Sequence, residues 1–371
     1  MKRRLTNVFF LLCCGRLLVP NPAQAARYRF TDLGLGSADA VNAQGQATGN
    51  NFFYDHGAVV ALPTFTPWSL AAMQDITDDG VIAGWCTGGN GGRYPYEYDI
   101  ATGRYTSLST LNNGGGGAVK AITLAGIAAG TSGIGGGNTR AVRWTRTTHA
   151  EDLGTLGGAS SSVSGMNEAG QIVGWAHTDS GEQHAFLYSG GTMTDLGTLG
   201  GDWSTALAIN ALGQVVGQST TADGSTHAFL WEAGQMRELT TSSVDGMPTP
   251  AAVNSRGQMV GHIYNPWAGG TACLYENGQS WILNDLVDLE PGWELAYAKD
   301  INEAGEIVGL AYHGDAGHAY LLTPIPEPSA AQILAVGSLL FVLTATRGSA
   351  TRTGWARCEP RREGDNVGGA A

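Results

Sequence analysis

The stretch Ala208–Gly217, AINALGQVVG, decides how this chain is read, because it recurs. Its relatives are AVNAQGQATG from Ala40, DITDDGVIAG from Asp75, AITLAGIAAG from Ala121, GMNEAGQIVG from Gly165, AVNSRGQMVG from Ala252 and DINEAGEIVG from Asp300. The first core glycines are Gly45, Gly80, Gly126, Gly170, Gly213, Gly257 and Gly305, spaced by 35, 46, 44, 43, 44 and 48 residues. Repeats at such a period mark solenoids or propellers. Seven units fill the 301 residues from Ala26 to Pro326, which leaves nothing for a second domain.

Each core is a turn between two apolar strands. Asn at its first position and Gly at its last fit a type I turn closed by a left-handed glycine. Thr77 and Thr123 replace the Asn in two units, where a hydroxyl caps the same turn more weakly. The second glycine, Gly217 and its equivalents, falls inside a strand and predicts a close backbone approach, as near a crowded axis. A second hairpin follows, for example 227–231 with 235–239, so each unit offers four short strands. That is the make-up of a propeller blade. The expected fold is therefore all-β: a seven-bladed β-propeller, with six blades as the alternative because the first unit is short. The seventh unit lacks a fourth strand. Residues 28–34 match the fourth-strand pattern of 193–197, so the N-terminal strand is expected to close the ring and remove exposed sheet edges.

Composition agrees. Glycine supplies 56 of 371 residues, too many for a helical bundle and without the period of collagen. The net charge is −12. Within 26–326 there are 11 Lys and Arg against 28 Asp and Glu, a net of −17, and all but two of the basic residues are Arg. Such a body argues against a nucleic-acid partner.

The two ends read as addresses. Lys2, Arg3 and Arg4, the apolar run 8–14 and Ala23-Gln24-Ala25 make residues 1–25 a secretory signal. Pro326-Glu327-Pro328-Ser329 precedes the uncharged run 330–346, of a length at the lower limit for a membrane span, and then Arg347, Arg352 and Arg357. An ordinary anchor helix is one reading of this tail. The order of its parts resembles the PEP-CTERM sorting signal of Gram-negative bacteria, although about 25 residues follow Arg347 where such tails usually end soon. The resemblance implies an exosortase-type partner and transient anchoring in the inner membrane by one C-terminal transmembrane helix, then delivery to the cell surface or extracellular matrix. The body itself, through His184-Ala185-Phe186 and His227-Ala228-Phe229, resembles the HAF extracellular repeat family. That family implies export but brings no activity. The expected organisation is a signal peptide at 1–25, an HAF-repeat propeller at 26–324, the sorting motif and span at 325–347, and a basic, disordered tail at 348–371.

Candidates for chemistry weigh toward structure. His184, His227 and His318 hold one position in three units, which suits a repeated strand-to-strand bond better than a ligand site. Asp75, Asp78 and Asp79 lack the spacing and closing Glu of a calcium loop and suit turn chemistry. Asp32, Asp152 and Asp195 open D-L-G segments and are expected to cap the turn between blades. Trp203, Trp267 and Trp293 fall in expected connections, either stacking on sugars or half-buried between blades. Cys86 and Cys273 lie in units two and six, too far apart for a disulfide, and are expected to be buried. The chain lacks G-x-S-x-G, H-E-x-x-H, P-loop and C-x-x-C signatures. No catalytic, metal or cofactor residue is assigned and no cofactor is expected. The leading expectation is a non-enzymatic surface or exopolysaccharide-matrix module binding extracellular polysaccharide or a surface protein. The alternative is a polysaccharide hydrolase or lyase with acidic residues at the propeller mouth.

Overall fold

A computed structural model describes residues 27–62, 69–89, 91–112, 116–145, 148–239, 248–265 and 269–326. The chain divides into two units, Met1–Ile325 and Pro326–Ala371. The signal segment with Ala23 and Ala25, the motif residues Glu327 and Pro328, the span and the basic tail lie outside the described residues, as does Trp267. No helix among the described residues is long and apolar enough to cross a membrane.

Residues 38–61, 69–107, 117–152 and 248–282 each form a four-stranded antiparallel sheet, and a fifth joins 293–324 to the N-terminal strand Tyr28–Leu35. Units 157–195 and 200–238 differ. They share one eight-stranded sheet, joined through a single parallel pair, Gln183 with Trp203. Five blades thus stand as separate four-stranded sheets, and a count of seven separate sheets does not hold. The contact is local: the inner strand Gly200–Ile209 carries Trp203 opposite Gln183 of the preceding sheet. Gly201 permits this, since a Cβ there would lie 2.2 Å from Thr220 Oγ1.

The strand Tyr28–Leu35 pairs antiparallel with Ala316–Pro324, from Tyr28 opposite Pro324 to Leu35 opposite His318. The Arg27 carbonyl accepts from Ile325 N at 2.7 Å, so the chain enters and leaves the sheet side by side.

The His-Ala-Phe tripeptide shows how neighbouring units pack. Successive strand residues face opposite ways. Ala185 enters the core shared with the following unit, beside Ala206 and Phe229. Phe186 enters the core shared with the preceding unit, beside Ala129 and Ala141. Ala228 and Phe229 repeat this one unit later, and Ala319 and Tyr320 do so in the last. One core links the last unit to the first: Ala319 and Leu321 meet Ala38, Phe52 and Tyr54. The sheets therefore follow one another around a closed ring, a β-propeller arrangement.

Candidate functional site: the central cavity

The core glycines Gly45, Gly80, Gly126, Gly170, Gly213, Gly257 and Gly305 all have positive φ, between 73° and 85°. At each turn the glycine N–H donates to the residue three before it, as Gly213 does to Asn210 at 3.0 Å. The Asn side chain closes the turn from within and also reaches the next unit. Asn167 Nδ2 donates to the Asn210 carbonyl, Asn210 to Asn254, Asn254 to Asn302, and Asn302 to Asn42 across the join between chain ends, all at 2.8–3.1 Å. Asn42 reaches the Thr77 carbonyl at 3.1 Å. Thr77 and Thr123 are too short to continue this and bond within their own turns.

The second glycine answers to a different constraint. A Cβ on Gly217 would lie 2.0 Å from the Thr205 carbonyl oxygen of the inner strand. The same contact, at 1.9–2.0 Å, recurs at Gly49, Gly84, Gly130, Gly174, Gly261 and Gly309. The approach is to the neighbouring strand, not to the ring axis. Just beyond it the inner strand carries a β-bulge: pairing skips from Ala206 to Ala208, and likewise in every unit. A bulge leaves one residue unpaired and re-aims it. The skipped residues are Asp39, Gln74, Lys120, Ser164, Leu207, Ala251 and Lys299. All seven line one cavity of about 240 Å³.

This ring is lopsided. Lys299, Asp39, Gln74 and Lys120 fall in consecutive units around the closure and form two pairs. Lys299 Nζ bonds Asp39 Oδ1, and Lys120 Nζ donates to Gln74 Oε1 at 2.8 Å. Ser164, Leu207 and Ala251 complete the circle with small or apolar groups. Lys120 and Lys299 are the only lysines in 26–326. Water reaches the Lys120 side chain, yet protein surrounds it closely enough that desolvation lowers its pKa. Asp39 opposes this, while Arg93 and Lys299 add to it.

Beneath the ring sit Asp75 and Asp300. Asp75 Oδ2 accepts from Ile122 N and Asp300 Oδ2 from Val41 N, each in the next unit, while Oδ1 of each accepts from its own following N–H. Burial raises the two carboxyl groups to about 7 and about 6.

The remaining candidates are spread around the ring. His184 Nδ1 pairs with Asp195 at 2.8 Å, His227 with Glu238 at 2.7 Å and His318 with Asp32 at 3.1 Å, each joining the third strand of a sheet to its fourth. Asp32, Asp152 and Asp195 accept from Gly34, Gly154 and Gly197 N–H at 2.8 Å. Asp79 bonds Thr77 Oγ1, and Asp78 accepts from Ala43 N of the first unit. Trp203 and Trp293 lie on strands rather than in connections. Trp293 stacks on His313 at 4.8 Å and meets Phe30 and His318 edge-on. Cys86 and Cys273 are buried free thiols, the latter raised by burial to about 12. Pro326 is the last described residue, two past the strand Ala316–Pro324.

Inner strands from every unit converge on one cavity. The fold is that of a β-propeller.

Solved structures of this fold resemble the chain at low identity. A chain of the mitotic checkpoint complex is 12% identical, with 88% of this chain and 100% of that one covered and a TM-score of 0.50. The acylaminoacyl peptidase of Pyrococcus horikoshii is 11% identical over 79% of this chain and 52% of that one, also at 0.50. TolB from Acinetobacter baumannii is 16% identical over 67% and 62%, at 0.44. The chain thus spans less than two thirds of the TolB chain and about half of the peptidase. No family model matches the sequence, and no curated protein matches it.

The bulge ring escaped the sequence reading, although a signal was present. Six residues before each first core glycine stands one of Asp, Gln, Lys, Ser, Leu, Ala and Lys, always after an apolar residue and before Ala, Gly or Asp.

Proposed function

We propose that this protein is a non-enzymatic binding module of the cell surface or extracellular matrix, built as a seven-bladed ring that holds its ligand at the central cavity. One observation carries the reading. A repeat that keeps its two core glycines and its apolar strand pattern places a residue of freely varying chemistry on a bulge in every unit, and those residues line one cavity. Scaffold positions stay alike because each must make the same turn and core, whereas a ligand site needs different groups at different points of the circle. The seven-blade count rests on the same convergence and on the two four-stranded units that meet through one residue pair in the eight-stranded sheet.

A hydrolase or lyase would need carboxylates free to exchange protons with substrate. The acids of the cavity are Asp39, Asp75 and Asp300: Asp39 is ion-paired with Lys299, and both oxygens of the half-buried Asp75 and Asp300 accept backbone N–H groups. The latter two act as latches between units. Export and surface sorting are supported by the sequence of the two ends. The deciding experiment is a glycan array on the purified protein, with product detection on every hit. Binding without turnover is expected, and turnover overturns the non-enzymatic reading. For the address, cell fractionation of wild type and Glu327→Ala is expected to show the variant retained in the inner membrane. Equal surface delivery of both overturns the sorting proposal.

A further inference from the structure

Resting on the central cavity being the binding site, we infer that its ligand is a neutral sugar of the pyranose class, held by hydroxyls on one arc of the ring and by a C–H face on the other. Charge does not select the ligand. Asp39, Asp75 and Asp300 line the cavity with Lys120 and Lys299. Asp39 is ion-paired with Lys299, and both oxygens of Asp75 and of Asp300 are taken by backbone N–H groups. Burial also pushes these last two carboxyl groups toward their neutral form, so neither sign of charge has a clear excess.

The polar arc instead keeps hydrogen-bonding capacity of both kinds. Asp39 Oδ1 accepts from Lys299 Nζ, while its Oδ2 has no hydrogen-bond partner among the described residues. Gln74 Oε1 accepts from Lys120 Nζ, which leaves the Gln74 amide N–H₂ and two of the three ammonium protons. Ser164 Oγ, next along the ring, both donates and accepts. None of these atoms is sealed from water, so a ligand can take the water's place. A carboxylate only accepts and an ammonium only donates, whereas a hydroxyl does both. A row of hydroxyls therefore serves this arc without bringing charge. A zwitterion serves it only by stripping water from two full charges.

The rest of the circle narrows the class. Leu207 and Ala251 close it, with Met166 beside them, and offer a C–H face apolar contact. A pyranose has hydroxyls at its rim and C–H groups on its faces, so one ring meets both arcs. At about 240 Å³ the cavity lies below the range of about 300–1,000 Å³ that holds drug-sized ligands, which suits a single or terminal sugar and not an extended chain.

The test is calorimetric titration of the full chain with the methyl glycosides of glucose, galactose and mannose, and with glucuronate, glucosamine and alanine, at low and at high salt. At least one neutral glycoside is expected to bind more tightly than every charged probe, with an affinity that salt leaves unchanged. Gln74→Leu is expected to weaken it about fivefold, as removal of one hydrogen bond does. Leu207→Trp fills the apolar arc and is expected to abolish it. A charged sugar binding more tightly than every neutral one, alanine binding as tightly, or no neutral glycoside binding overturns the assignment even if both variants fail to fold. Unchanged binding in a folded Leu207→Trp overturns its placement in the cavity. Charged glycans alone binding on the array overturn this inference and leave the binding module standing, whereas silence of the whole array overturns both.

Discussion

His318 Nδ1 lies 3.1 Å from Asp32 Oδ1, although 286 residues separate them in sequence. His184 makes the same contact to Asp195 only 11 residues away. The last sheet therefore has the same internal chemistry as the fourth unit, with its outer strand taken from the other end of the chain. Tyr28 and Leu33 of that strand are also buried in the two cores flanking the last unit, at 2% and 3% exposure.

The closing strand is consequently expected to be indispensable. Deleting residues 27–34 removes these core contacts and bares the edge of Ala316–Pro324, an invitation to pair with other chains. Light scattering and thermal melting are expected to show an open, aggregating product. A monomer with an unchanged melting temperature would refute closure. Asp32→Ala alone, which removes a half-exposed pair and a turn bond, is expected to cost only about 1 kcal/mol.

A strand glycine and a turn glycine of the fifth unit are expected to differ in a measurable way. Gly217→Ala places a methyl 2.0 Å from the Thr205 carbonyl and close to the Phe229 ring, so bulge or strand must move. A loss of about 3 kcal/mol or more is expected. Gly224, in the turn before 226–232, has a positive φ that Gly217 lacks, and no atom lies within 4 Å of its added Cβ. Gly224→Ala is expected to cost about 1–2 kcal/mol, the left-handed backbone penalty alone. Chemical denaturation of both variants checks the ranking, and equal losses would remove the bulge argument.

Much of this was legible in the chain itself, and what was missed has a physical cause. The turn at Asn210 and Gly213 and the matching patterns at 28–34 and 193–197 are local signals, so spacing alone exposes them. The role of Gly217 was half visible: a strand glycine announces a close approach, but not to what. The bulge at Leu207 changes no hydrophobic period, and only three-dimensional pairing shows which residue is left over. Asp195–Gly201 reads as a link between units, and Trp203 as part of a connection, because turn residues fill the segment, yet Gly200–Trp203 is strand. Its extended course depends on Thr220 and Thr221 across the sheet.

The Asn ladder predicts a weak point at the closure. Asn302→Ala leaves the buried Asn42 carbonyl without its side-chain donor and the Glu306 N–H without its acceptor. Leaving such groups unpaired costs about 1–3 kcal/mol each at most. Hydrogen exchange is expected to rise at the first and last sheets together, because the bond joins them. Exchange confined to the Asn302 turn would show that the ladder does not couple the units.

Thiol chemistry should report global opening only. Cys86 and Cys273 are 1% and 4% exposed, and burial raises both thiols, so the reactive thiolate is scarce as well as shielded. A thiol reagent is expected to leave both unmodified in the folded protein and to modify both in denaturant, as read by mass spectrometry. Labelling of either one in native buffer, at a rate independent of added denaturant, would contradict their placement.

The half-buried carboxyl groups of the cavity set the pH dependence. Asp75 and Asp300 titrate near 7 and near 6 in the folded ring, against about 4 in an unfolded chain. Between those values the folded state binds more protons than the unfolded one, so stability falls as pH rises. Their contribution is fully present below about pH 4 and is lost as pH passes through 6 and 7. Exposed acids such as Asp55, Asp99 and Asp223, whose pKa values hydrogen bonds lower, act oppositely and only at lower pH. Asp75→Asn with Asp300→Asn keeps one acceptor at each site but turns an amide N–H₂ toward the other backbone donor, so absolute stability is expected to drop. The discriminating readout is the slope. Melting temperature plotted from pH 4 to 8 is expected to fall in the wild type and to run flatter in the double variant, and parallel curves would show that these two acids are not what the ring's stability follows.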